Sequence, residues 1–523
     1  MKFGFLIDHR KCIGCHACSV ACKEEHQVPL GVYRTWVKYV EKGDFPNTRR
    51  HFTVLRCNHC EDAPCVTICP VTALYKRSDG IVDFDNEVCI GCKACMQACP
   101  YDALYIDPNT DTAAKCNFCA HRVEVGLQPS CQVVCPTQAI VSGDLDDPTS
   151  AISYLTAREP VRVRKPEKGT RPQLFYINAD ESSLTPTATA QPQSYGMWSE
   201  THHPQITDLS MPLMPGAMSA TTAPDLLHDL TAQSGRTVYN VGHAIPWGKK
   251  VSLYIWTKSL AAGAFLLSAV GVGTGIVPDS PLLSWGALLL ALIFLGVTTA
   301  LLILDLKRPE RFYTILLRPQ WRSWLTIGSY ILAMYSGLLG LSVLAALFGA
   351  TGLRHFLLWP GGILAVLSAI YTAFLFAQAK SRDLWLSPAL PVHLLLQALV
   401  AGAAILAIVG VVLPSNPATT GFLHDILLWG LVGNLFTILV GELWMPHGTQ
   451  DAAKAAHLIL WGPYCRLFWG LVVVVGHGVP LLLLALIPGT AIGVTCLAGM
   501  AALVGLLIFE HIWVIAGQSV PLS

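Results

Sequence analysis

Sixteen cysteines fall into four groups of four before Asp144 in this chain of 523 residues. Cys12, Cys15, Cys18 and Cys22 are spaced C-x2-C-x2-C-x3-C, and Cys89, Cys92, Cys95 and Cys99 repeat that spacing. Cys57, Cys60, Cys65 and Cys69 are spaced C-x2-C-x4-C-x3-C, and Cys116, Cys119, Cys131 and Cys135 are spaced C-x2-C-x11-C-x3-C. Proline follows the last cysteine of groups two, three and four (Pro70, Pro100, Pro136), whereas Lys23 stands there in group one. In the C-x2-C-x2-C-x3-C-P run a tight loop wraps three thiolates round an iron–sulfur cube, and the fourth reaches the neighbouring cluster. Small residues such as Gly14 and Gly91 let backbone amides approach the sulfides. A lone C-x2-C pair suggests zinc, but four such quartets do not. Disulfides fit less well, because MKFGFLIDHRK has neither a long apolar stretch nor twin arginines to direct export.

Here the chain resembles the four-cluster electron-transfer subunit of molybdopterin oxidoreductases, of the dimethyl sulfoxide, polysulfide and formate types. The resemblance covers about residues 4–145 and rests on CIGCHACSVACKEEH, CNHCEDAPCVTICP, CIGCKACMQACPYDA and KCNFCAHRVEVGLQPSCQVVCP. It implies that group one pairs with group four, and group two with group three. Cys12, Cys15, Cys18 and Cys135 then hold one cluster, and Cys116, Cys119, Cys131 and Cys22 its partner. Cys57, Cys60, Cys65 and Cys99 hold a third, and Cys89, Cys92, Cys95 and Cys69 the fourth. No position is lost to another residue, so four [4Fe–4S] clusters are expected, served by a separate molybdopterin (molybdenum or tungsten) catalytic subunit.

The elements that must carry these groups differ sharply along the chain. The hydrophobic fraction is 53% and the charged fraction 13%, about half the charge usual in soluble proteins. With a net charge of +1, nothing points to a nucleic-acid partner. Residues 1–145 read as an α+β, ferredoxin-like tandem [4Fe–4S] domain. Residues 146–247 read as an extended proline-rich linker, with TPTATAQPQS as low-complexity sequence; His202 and His203 there read as a solvated pair. Residues 248–523 read as an all-α transmembrane bundle of eight helices, each long enough to cross the bilayer core, at about 252–276, 281–304, 323–348, 355–378, 389–413, 422–443, 465–487 and 490–514. The break between the last two is Pro488-Gly489.

Basic residues set the orientation. Lys249, Lys250, Lys307, Arg308, Arg311, Arg318, Arg322, Lys380, Arg382, Lys454 and Arg466 share the side of the amino-terminal domain, and only Arg354 lies opposite. A multi-pass protein of the inner (cytoplasmic) membrane is expected, its cysteine domain facing the cytoplasm.

The membrane half resembles the polysulfide-reductase/NrfD family of quinone-binding subunits. LYIWTKSLAAGAFLL, LLILDLKRPERFYTILLRPQWRSWL, IYTAFLFAQAKSRDLW and LPVHLLLQALVAGAA carry the resemblance over about 245–515. It implies a quinone site (menaquinone or ubiquinone) near the face where the iron–sulfur part docks, and no haem. Family members usually carry the membrane part as a separate chain, so the fusion is a departure that fixes a one-to-one ratio.

Ionisable side chains inside a bilayer are functional candidates by default. Tyr371 matches the family's fourth-helix motif and leads the candidates for holding quinone, followed by Lys258 and Asp305, then Gln378 and His393. Asp305 has an alternative use in a salt bridge to Arg308 or Arg311. His393 and His477 could face a haem only at matched depth, and Cys465 and Cys496 read as inert thiols. No G-x-G-x-x-G follows a strand, so nicotinamide and flavin are not indicated. The function expected is an electron conduit between a cytoplasmic molybdopterin subunit, sulfite- or formate-oxidising or related, and membrane quinone. The alternative is a redox-driven ion-translocating module, with Glu442, Glu510, His477 and Lys258 as a proton path, or a passive anchor.

Overall fold

A computed structural model describes residues 1–43, 46–189, 235–487 and 491–523. His202, His203 and the Pro488-Gly489 break lie outside the described residues. The chain divides into two units, Met1–Pro246 with Pro521–Ser523, and Trp247–Val520.

The first unit has short strands: β1 (Phe3–Asp8), β2 (Thr35–Lys42), β3 (Arg49–Arg56), β4 (Leu74–Lys76), β5 (Val82–Phe84), β6 (Leu104–Ile106), β7 (Ala113–Lys115), β8 (Ile140–Asp144), β9 (Val161–Arg162), β10 (Leu174–Ile177) and β11 (Arg236–Tyr239). Its helices in the cysteine region are α1 (Ala17–Glu25), α2 (Pro64–Ile68), α3 (Ala94–Ala98), α4 (Ala120–Val123) and α5 (Ser130–Val133). One sheet runs β8-β1-β10-β9 and another β11-β2-β3, while β4-β5 and β6-β7 are antiparallel hairpins. Each hairpin follows a Cys-Pro pair, so groups two and three share one local plan. The apolar clusters here are small, for example Leu6, Ile152 and Ile177, or Trp36, Leu55 and Val241. Twelve buried cysteines are interspersed through the rest of this interior, and metal bound by such thiols contributes directly to folding.

The reading of 146–247 as an extended linker is corrected for its described parts. The stretch 174–177 (LFYI) is the strand β10, paired parallel to β1 with Phe5 opposite Leu174 and Asp8 opposite Ile177. β9 pairs antiparallel to β10, and β11 pairs with β2. The prolines punctuate this structure and do not dissolve it. Pro160 precedes β9 and Pro172 lies two residues before β10, outside the strands, where no ladder N–H is lost.

Among its described residues the second unit holds eight helices long and apolar enough to cross a membrane. With α6 (Ala151–Arg158) and α7 (Glu181–Leu184) preceding them, they are α8 (Lys249–Gly273), α9 (Leu282–Asp305), α10 (Trp324–Leu347), α11 (Thr351–Gln378), α12 (Leu390–Val409), α13 (Pro417–Trp444), α14 (Cys465–Leu486) and α15 (Ile492–Gln518). α8 and α12 form the centre, where Gly263 and Gly402 pack backbone to backbone. A Cβ on Gly263 would fall on Ala398 and 2.8 Å from the Gly402 nitrogen, a close approach that only small residues permit. Among the described residues three spans contain wide π-helical turns: Leu282–Gly286 at the start of α9, Thr437–Trp444 in α13 and Phe468–Gly478 in α14. Such turns add a residue to the helical register and often mark functional positions; here the last two carry Glu442 and His477.

Candidate metal centres and membrane site

The cysteine loops owe their shape to residues in the left-handed region. Gly14 (φ 71°) and His16 (φ 60°) in group one match Gly91 (φ 66°) and Lys93 (φ 63°) in group three. Each pair turns the loop so that α1 or α3 begins just before the third cysteine of its group. After groups two, three and four the sequence reads Cys-Pro-x-x-Ala (69–73, 99–103, 135–139). The residue before each alanine is again left-handed: Thr72 (φ 56°), Asp102 (φ 58°) and Gln138 (φ 53°). That turn aims the alanine amide back at the sulfur. The Ala139 amide donates to Cys135 Sγ at 3.2 Å, and the Ala73 and Ala103 amides do the same for Cys69 and Cys99.

Group one departs from this plan. Lys23 replaces proline, α1 runs on to Glu25, and among the described residues no backbone amide reaches the Cys22 sulfur. Its surroundings are cationic instead, with Arg56 and Arg34 as its nearest positive charges.

Twelve of the sixteen thiols are buried, and only Cys15 is exposed. Cys57, Cys60, Cys65 and Cys99 line one recess. Cys69, Cys89, Cys92 and Cys95 line another with an empty volume of ≈ 380 Å³. Cys12 neighbours Cys135, and Cys22 neighbours Cys131 and Cys119. Each of the two recesses thus draws one thiol from another sequence group, and Cys12 and Cys22 of group one both lie beside thiols of group four. Among the described residues no three His, Cys, Asp or Glu side chains converge as they would on a single ion; the thiols stand round the walls of recesses.

Electrostatics agrees with a metal-bearing occupant. Burial pushes the Cys18 and Cys99 thiols up to about 11, and those of Cys22 and Cys92 up to about 12. Thiols so placed stay protonated unless a metal supplies positive charge, so metal binding must release protons. Orphaned donors point the same way. Arg56 is fully buried, and its Nε and Nη2 have no protein partner among the described residues. The residues present therefore fit iron–sulfur clusters.

In the membrane unit, Lys258 and Tyr371 come together. The Lys258 ammonium lies 4.9 Å from the Tyr371 ring centroid, a cation–π distance. It donates to the Ala369 carbonyl at 2.9 Å and to the Thr372 hydroxyl. The Tyr371 ring lies against Gly328, where any side chain would collide with it. Glu510 is within electrostatic reach of Lys258, His393 and Glu442. His393 Nδ1 sits 2.8 Å from Glu442 Oε1.

The other two candidates are placed differently. Gln378 accepts from the Trp324 amide at 2.9 Å and donates to the Arg322 carbonyl at 2.6 Å, so it ties down the start of α10. Asp305 is half-buried at the end of α9, within reach of Tyr254. Tyr254 itself, buried near Tyr371 and Glu510, escaped the sequence reading. Its only signal was its place one helical turn before Lys258. His477 is engaged at both ring nitrogens, by Val472 O at 2.8 Å and Asn434 Nδ2 at 3.0 Å.

Comparison with known proteins joins the two halves. The family described as "Polysulphide reductase, NrfD" matches residues 237–521, more than half of the chain. The chain belongs to this NrfD family. A 4Fe-4S dicluster domain matches residues 48–145. The B component of tetrathionate reductase from Salmonella typhimurium is 44% identical over 204 residues, covering 38% of this chain and 80% of that protein. The B component of polysulfide reductase from Wolinella succinogenes is 42% identical over 181 residues, 34% of this chain and 94% of its own. Protein NrfC of Escherichia coli is 41% identical over 180 residues, 34% and 81%. The chain is therefore an iron–sulfur electron-transfer subunit fused to an NrfD membrane module, a multi-pass membrane protein.

Proposed function

We propose that the chain carries electrons between a cytoplasmic molybdopterin catalytic subunit and membrane quinone. The sixteen cysteines hold four [4Fe–4S] clusters, group one paired with group four and group two with group three. Quinone binds beside Lys258 and Tyr371, with Tyr254, Glu510 and His393 nearby to hold or move its protons. The observation that carries this reading is the interleaving of the quartets: each recess takes one thiol from another group. Interleaving of this kind supports clusters standing side by side, as a relay in series requires.

The basic loops support a cytoplasmic iron–sulfur unit. The names of the relatives, components of tetrathionate and polysulfide reductases, favour a partner acting on a sulfur compound over one acting on formate. A second reading, proton movement driven by electron flow, draws on the buried line Lys258, Glu510, His393 and Glu442.

The purified chain should contain one iron per cluster cysteine and copurify with a molybdopterin subunit. Lys258→Met and Tyr371→Phe should each lower quinone-coupled turnover at least tenfold while leaving iron content intact. Turnover that survives both changes refutes the quinone site. Turnover that survives Glu442→Gln while proton uptake is lost favours the second reading.

A further inference from the structure

Arg56 ends β3, immediately before Cys57, the first thiol of group two. Its side chain reaches the other pair of groups. Nη1 donates to Cys131 Sγ at 2.9 Å, and Cys116 and Cys18 are its next nearest thiols. Cys116 in turn neighbours both Cys22 and Cys57. The two cluster pairs therefore meet at Cys116 and Cys57, with the guanidinium beside the junction. The Phe5 ring closes one side, 4.5 Å from the guanidinium carbon.

The environment around this quartet differs from the others. The last thiols of groups two, three and four receive backbone amides, which are neutral dipoles. Cys22 receives none and faces Arg56 and Arg34, while His26 Nε2 lies 3.2 Å from Cys119 Sγ. A cationic donor adds its full charge to the hydrogen bond it gives a thiolate, which a neutral amide does not. Burial keeps water from screening the charge, and no carboxylate bonds Arg56 among the described residues. A one-electron reduction adds one negative charge to the cluster and makes or breaks no bond. A fixed positive charge in contact favours that reduced state, and hydrogen bonds to the sulfurs and net charge are the protein's levers on cluster potential.

We propose that Arg56 is a positioning residue that raises the reduction potential of the cluster held by Cys116, Cys119, Cys131 and Cys22, at the junction of the two pairs. Its two orphaned donors, Nε and Nη2, bond the cluster sulfides. The proposal rests on the four-cluster reading and deepens it.

The test is an EPR-monitored redox titration of the full chain carrying Arg56→Gln or Arg56→Lys, with iron measured alongside. The signal of this cluster is identified as the one lost in Cys22→Ser. In Arg56→Gln its reduction equilibrium shifts at least tenfold toward the oxidised form, about 59 mV for a one-electron couple, and more than that of any other cluster. Arg56→Lys keeps the charge without the fork and shifts it less. Full iron with no shift in Arg56→Gln overturns the proposal, whereas wild-type protein short of iron overturns the four-cluster reading beneath it. If Arg56→Gln does not load, pulsed EPR of wild-type protein labelled with nitrogen-15 arginine decides. A guanidinium nitrogen coupling on this cluster is expected, and its absence overturns the proposal.

Discussion

The imidazole of His393 donates through Nδ1 to Glu442 Oε1 at 2.8 Å, with both side chains shut away from the surface. Removing one partner leaves a buried group uncompensated, whereas removing both need not. Glu442→Ala is expected to destabilise the membrane unit by about 3–5 kcal/mol. The double variant His393→Leu/Glu442→Leu should recover much of that loss. Thermal unfolding in detergent across the four-member cycle measures the coupling; additive effects would show that the pair is only a neighbourly contact.

Cys22 belongs by sequence to group one but sits with Cys131 and Cys119. Cys22→Ser should therefore damage the cluster of group four and spare the one served by Cys12, Cys15, Cys18 and Cys135. EPR and iron counting should register the loss of one cluster in four at most. Loss of the group one signal alone contradicts the cross-pairing.

The α8–α12 crossing leaves no room at Gly263 or Gly402. Gly402→Ala should cost at least about 1–3 kcal/mol, the range for overpacking a tight interior. Gly296 in α9 faces open space, so Gly296→Ala should be neutral or slightly stabilising. Melting temperatures of the two variants in one detergent make the comparison.

His9 should make the first unit sensitive to acid. Its ring nitrogens are buried without partners among the described residues, and burial, aided by nearby His51, depresses its pKa to about 4. The unfolded chain titrates near 6.5. Between those values the unfolded state binds more protons than the native one, so stability falls as pH drops from about 6.5 to 4. In His9→Gln that decline should be shallower, read as slower bleaching of the visible iron–sulfur absorbance at pH 5 relative to pH 7.5. An identical pH profile would falsify the assignment.

The parts of this molecule that were legible in the sequence are those whose physics is local. Iron–sulfur ligation demands thiols a few residues apart, so all four groups could be read directly. A bilayer demands about twenty apolar residues in a row, so eight spans were expected, and eight are present among the described residues. What was hidden depends on distant partners. β10 looked like linker because its flanking prolines are conspicuous and its pairing with β1 is not. Gln378 looked like a ligand because nothing local shows that Trp324 and Arg322 use both ends of its amide. Tyr254 went unnoticed because only helix packing brings it near Tyr371 and Glu510. The π turns that carry Glu442 and His477 leave no mark in composition.

In the proposed pairing the quartets are nested: those built from groups two and three lie wholly within the stretch spanned by groups one and four. Closing a shorter loop costs less entropy, so the inner quartets, bounded by Cys57 and Cys99, can gather before the outer ones. The outer quartets cannot be completed until Cys131 and Cys135 have been made and brought back to Cys22 and Cys12. Iron delivery should follow the same sequence, filling the inner sites first and fastening the outer ones last. A chain interrupted between Cys99 and Cys116 would then be stranded half-metallated, with two clusters loaded and its amino-terminal thiols still waiting.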